Sequence, residues 1–192
     1  MRRVGSLLLI CAVLSACVTT RRAPAPLNEG WERRAAALQT LDSWQLDGRA
    51  AVAIGTQGWQ ASLNWRQRGA EAEVHLSGPL GVGALVLKRT PDGLSLNGAP
   101  PSDAVLAQLQ ERLGFDLPID HLRFWLLGVP DPQSPFELTR NDQDRALRLS
   151  QDDWVIDYDR YLKVDGDVLP GHFSMSREGV RVRIAVDRWL KP

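Results

Sequence analysis

Between Trp44 and Trp65 the apolar side chains recur at every second residue. Trp44, Leu46, Gly48, Ala50, Val52 and Ile54 alternate with mostly polar neighbours, and so do Trp59, Ala61, Leu63 and Trp65. A period of two places each set on one face of a pleated strand, a pattern no helix accommodates. Gly55-Thr56-Gln57-Gly58 lies between the two runs and reads as a hairpin connection. Further strands are expected at 72–77, 82–89, 93–97, 136–140, 145–150, 153–160, 168–177 and 180–189. Val180, Val182, Ile184 and Val186 give the clearest alternation of that later set. Many short antiparallel strands in series make a sandwich or a barrel.

Helical spacing occurs in three places. Asn28 is a candidate cap for a helix carrying Trp31, Ala35, Leu38 and Leu41 on one face. Ser102 opens a second helix that runs to Leu113 and stops at Gly114. A third spans 119–127, with Leu122, Trp125 and Leu126 grouped and Gly128 and Pro130 ending it. The last two fall mid-chain, between strands.

The N-terminus speaks to compartment. Arg2 and Arg3 precede the apolar run Val4–Leu14, well short of the ~20 residues a membrane-spanning helix needs. It reads as the apolar part of a secretory signal, residues 1–16. Leu14-Ser15-Ala16-Cys17 has the form of a bacterial lipobox, which implies cleavage before Cys17 and acylation of that residue. Several chains at ~0.8 kcal/mol per buried methylene make a stable anchor. Val18 in place of Asp implies sorting to the outer membrane, with the domain facing the periplasm of a Gram-negative cell. Residues 17–27, ending in two Pro and Leu27, read as a lipidated N-terminus and linker, leaving 28–192 as the folded domain.

Composition removes several classes of function. Twenty-three basic residues balance twenty-three acidic ones, so no electrostatic footprint for nucleic acid is present. Nucleophile elbows, zinc-protease helices, phosphate loops and dinucleotide fingerprints are all missing. His75, His121 and His172 are scattered without ligand spacing, and no cofactor, metal or catalytic residue is expected. The aromatic set is skewed instead: seven Trp against four Phe and two Tyr. Catalysis has no foothold.

Several segments, in order along nearly the whole chain, carry a resemblance. They are Cys17, Trp31, Asp47-Gly48-Arg49, Asn64-Trp65-Arg66-Gln67 and Ser77-Gly78-Pro79-Leu80-Gly81. Then come Leu122 to Pro130, Trp154 with Tyr158 and Tyr161, Leu169-Pro170 and Trp189. Together they resemble the LolB family of outer-membrane lipoproteins; Trp44 and Trp59 look like extras. The resemblance implies a mainly β fold, a half-open antiparallel barrel of about eleven strands, its mouth plugged by helices. It implies a monomeric, non-enzymatic receptor that accepts acylated lipoproteins from a periplasmic LolA-like carrier and inserts them into outer-membrane lipid. A passive lipid-binding or envelope-stress-sensing lipoprotein on the same scaffold is the alternative.

Such a receptor needs an apolar cavity. The expected lining is Val52, Ile54, Leu63, Trp65, Leu76, Trp125, Leu126, Trp154 and Tyr158. For the tryptophans, core and cavity faces share one periodicity, and spacing leaves both readings open. Pro79, Leu80 and Gly81 form a tight turn where polar residues are the norm. The resemblance implies that Leu80 protrudes toward the membrane; the other reading folds it back onto its own barrel.

Overall fold

A computed structural model of the chain describes residues 29–79 and 83–190. The expected signal (1–16), the linker with Cys17, the Asn28 cap, Leu80 and Gly81 lie outside the described residues.

Gly55 takes a left-handed φ of 55°, a conformation open to glycine at little cost. It lets β1 (Ser43–Ile54) reverse directly into β2 (Gln57–Arg68), with Ile54 opposite Gln57 and Ser43 opposite Arg68. The strands therefore run longer than the alternating segments alone define. β3 (Glu71–Ser77), β4 (Leu85–Thr90) and β5 (Gly93–Leu96) follow as consecutive hairpins. β6 (Phe136–Arg140), β7 (Ala146–Gln151), β8 (Trp154–Val164), β9 (Asp167–Arg177) and β10 (Val180–Leu190) make a second antiparallel run. β10 then pairs with β1.

The result is a single ten-stranded sheet in the order β5-β4-β3-β2-β1-β10-β9-β8-β7-β6. Its two edges stay apart, giving a half-open barrel with ten strands among the described residues rather than about eleven.

The seam between the two runs is built at residue level. At Asp47/Gly48 the β1–β10 register shifts. A Cβ at Gly48 would lie 2.4 Å from the Ala185 carbonyl oxygen and 3.1 Å from Val186 Cα, so only glycine lets the strands approach. Beside it the Arg188 guanidinium donates to Asp47, with Nε at 3.0 Å. Asn64 of β2 donates to the other Asp47 oxygen. One carboxylate thus ties three strands together.

Helix α1 (Glu29–Gln39) buries Trp31, Ala35 and Leu38 on the expected face, but it ends before Leu41, which lies half-buried beyond it. Arg34 reaches the Asp144 carbonyl and Gln39 that of Pro130. α2 (Asp103–Leu113) and α3 (Ile119–Trp125) occupy the link between β5 and β6. The Ser102 hydroxyl caps α2 by accepting the Val105 N–H, and Gly114 at φ 84° ends it. Among the described residues no helix is long and apolar enough to cross a membrane.

Candidate functional site

α2 and α3 lie over the apolar face of the sheet. From the sheet, Val52, Trp59, Leu63, Trp65, Val74, Leu76, Met175, Val182 and Ile184 project toward them. Leu113, Phe115, Leu117, Leu122 and Leu126 answer from the helices and their link. Between the two sets remains a cavity of about 50 Å³ with a wholly apolar or aromatic lining. The polar edges of its tryptophans are directed away: Trp65 Nε1–H donates to Gln67 Oε1 at 3.0 Å, and Trp59 Nε1–H faces the Leu113 carbonyl at 3.5 Å.

Five of the expected lining residues meet here: Val52, Leu63, Trp65, Leu76 and Leu126. Ile54 does not line the cavity; it packs where α2 ends, its Cδ1 2.5 Å from where a Cβ on Gly114 would be. Trp125, Trp154 and Tyr158 sit in closed core behind the lining. Trp154 meets Phe115 edge-on at 6.0 Å, one layer removed.

Those three aromatics hold α3 in place. Trp125 donates from Nε1 to Gln151 Oε1 at 2.8 Å, and Tyr158 OH donates to the Trp125 carbonyl at 2.9 Å. Complete burial holds the Tyr158 phenol well above its ordinary pKa, so it acts as a neutral donor. The buried Gln151 amide also accepts the Asp131 N–H and donates to the Asp131 and Ser134 carbonyls. His121 completes the attachment: it stacks on Trp125 with ring centres 5.3 Å apart, and its nitrogens face Asp131 at 2.9 Å and Asp152 at 3.3 Å. On the opposite side Arg89 of β4 meets Asp120 at 2.7 Å. α3 is thereby fastened to both halves of the sheet.

Trp59, Met175 and Ile184 are lining residues that sequence reasoning did not assign. Each stands in an alternating run, so the signal was present. Which runs share a face depends on the β1–β10 pairing, which local spacing does not report. Trp44 packs beside the lining, stacked on Trp65 with centres 5.9 Å apart and edge-on to Trp189 at 5.5 Å. Pro79 is exposed just beyond β3. Among the described residues no cluster of three metal-ligating side chains occurs.

The fold is similar to that of a LolA superfamily protein from Nitrosomonas europaea. The two superpose with a TM-score of 0.56 at 10% identity, over 88% of this chain and 94% of that one. The likeness defines the class by fold alone: an open, mainly β half-barrel. Within it, the sequence profile of "Outer membrane lipoprotein LolB" matches residues 42–189. The outer-membrane lipoprotein LolB of Nitrosococcus oceani is 35% identical over 97% of this chain and 96% of its own. That of Pseudomonas aeruginosa is 33% identical over 93% and 91%. The chain belongs to the LolB family and is a lipid-anchored lipoprotein of the outer membrane.

Proposed function

We propose that the protein accepts the acyl chains of other lipoproteins in the cavity between sheet and helices and passes them to the outer membrane. Cys17 is its own lipid anchor, and a LolA-like carrier is the donor. The observation that carries this reading is the dry lining: fifteen residues from seven elements and their links surround one space without directing a polar atom into it. A lining of this kind suits a hydrocarbon chain, which offers no polar group to pair.

The volume adds a mechanism. Fifty cubic ångströms is far below the ~300 Å³ at which small-molecule sites begin. An acyl chain enters only if α2, α3 and their link lift off the sheet. Burying hydrocarbon there returns ~0.8 kcal/mol per methylene, which offsets the separation of Leu113, Phe115 and Leu122 from their partners.

Tryptophan fluorescence tests the reading directly. Trp59 and Trp65 line the cavity, so an acyl ligand should shift the emission. Trp65→Glu should abolish most of the binding, because a buried unpaired carboxylate costs several kcal/mol. Full binding by the variant, or no emission change at saturation, would place the ligand elsewhere.

A further inference from the structure

Of the three histidines, His121 has both ring nitrogens engaged. Nδ1 lies 2.9 Å from an Asp131 carboxylate oxygen and Nε2 lies 3.3 Å from one of Asp152. His75 and His172 each face a single carboxylate, Glu73 at 2.6 Å and Asp159 at 2.8 Å, on the outer side of the sheet. Neither acid beside His121 is free to turn away. Asp131 is buried, its other oxygen accepts the Gln133 N–H at 2.9 Å, and its own N–H is held by Gln151. Asp152 accepts the Ser134 hydroxyl at 2.6 Å.

A neutral imidazole carries one N–H and one lone pair. Between these two acids the N–H satisfies one carboxylate, while the lone pair faces the other. The imidazolium donates to both and balances the charge of the buried Asp131. It also lays a cation on the Trp125 indole, with the two planes 14° apart. The other charges around the ring do not reverse that preference. Asp120 on α3 and Asp116 in the α2–α3 link add negative charge. Arg89 of β4 and Arg123 of α3 are turned to acids of their own, Asp120 at 2.7 Å and Asp42 at 4.0 Å.

We propose that His121 is a proton-operated clasp on the lid: its second proton locks α3 to Asp131 and to Asp152 in the β7–β8 turn, and loss of that proton frees the helix to lift. The proposal rests on the acceptor reading for its purpose, since a lid matters only if hydrocarbon passes beneath it. Both carboxylates meet the ring only when α3 is seated. The seated helix therefore binds the proton more tightly than the lifted one, and by linkage acid favours seating. Imidazole gains its second proton as pH falls from about 8 to about 5. Over that fall α3 opens less readily and acyl uptake slows.

The test is hydrogen exchange of the mature-length chain with Cys17→Ala; sheet and core come from residues 29–190. Protection is read at the amides of residues 122–128 at about pH 7.5 and about pH 5.5, on either side of the imidazole transition. It is corrected for the chemical exchange rate at each pH, with β1 and β10 amides as reference. Relative to that reference, α3 protection should rise about fivefold or more on acidification, as a roughly tenfold difference in proton affinity gives over that span. His121→Gln keeps a donor but cannot titrate, and should remove the rise. Asp152→Asn should at least halve it; Asp152 stands on an exposed turn, so this variant carries the test if His121→Gln does not fold. A flat or falling ratio in the parent would overturn the clasp, as would a rise that either variant keeps by more than half. Acyl-ligand fluorescence on the same proteins separates the two readings. No binding at either pH sinks the acceptor function and leaves the clasp standing, whereas binding with a pH-flat α3 does the reverse.

Discussion

Gly48 and Asp47 show how narrowly single residues set this sheet. A methyl group at Gly48 would collide with the backbone of β10, not with a side chain able to rotate away. Gly48→Ala should cost about 1–3 kcal/mol, read as a lower urea midpoint with the slope unchanged. Asp47 makes a pH-dependent contribution at the same spot. The Arg188 hydrogen bond, helped by Asn64 and Gln45 and opposed by desolvation, holds its carboxyl below the usual range. A group with a depressed folded value adds stability above its unfolded value, near 4, and loses it as pH falls through the folded one. The stability gap between the parent and Asp47→Asn should therefore be full at neutral pH and shrink below about pH 4. A gap that stayed constant to pH 2 would mean that the charge is irrelevant and only the geometry counts.

At the scale of elements, α3 is the part that distinguishes a lid from a plug. Beside the buried Ile119, Leu122 and Trp125, its polar fastenings are few: Gln151, His121 and Tyr158 on one side, Arg89 on the other, and Arg123 to Asp42. Gln151→Leu strands the Trp125 and Asp131 N–H groups without a partner and should cost about 2 kcal/mol or more. Hydrogen exchange should show α3 amides opening first, while β1 and β10 keep their protection. Uniform loss across the sheet would mean that the helix is an inseparable part of the core. The elements themselves were legible in the sequence. Alternation marked the strands, and Ser102 and Gly114 bracketed α2. The lining was half legible. Leu63 and Trp65 declare a dry face, but whether Trp125 and Trp154 face a cavity or a closed layer depends on hydrogen bonds to Gln151 and packing on Phe115. Both partners are distant in the chain, and no period encodes them.

For the whole molecule, the question is how uptake and delivery are divided. The cavity lies under the helices, and Leu80, in the segment 80–82 outside the described residues, follows β3 in the chain. Leu80→Glu should therefore still take acyl cargo from a carrier. It should release that cargo poorly to liposomes, since a carboxylate resists entry into hydrocarbon. Transfer at the parent rate would sink this division, and a large drop in thermal stability would place Leu80 in the core. The central β1–β10 seam has a consequence of another kind. It joins the first strand to the last, Gln45 to Leu190, whereas every other strand pairing among the described residues is between consecutive strands. The flanking ribbons can zip locally and early, but the middle waits for the last strand to be delivered. Until then β1 presents a long, half-apolar edge with unpaired amides. Such an edge invites strangers. A chain with this closing order is expected to fold slowly for its size, and to depend, on the way to its membrane, on being kept from its own kind.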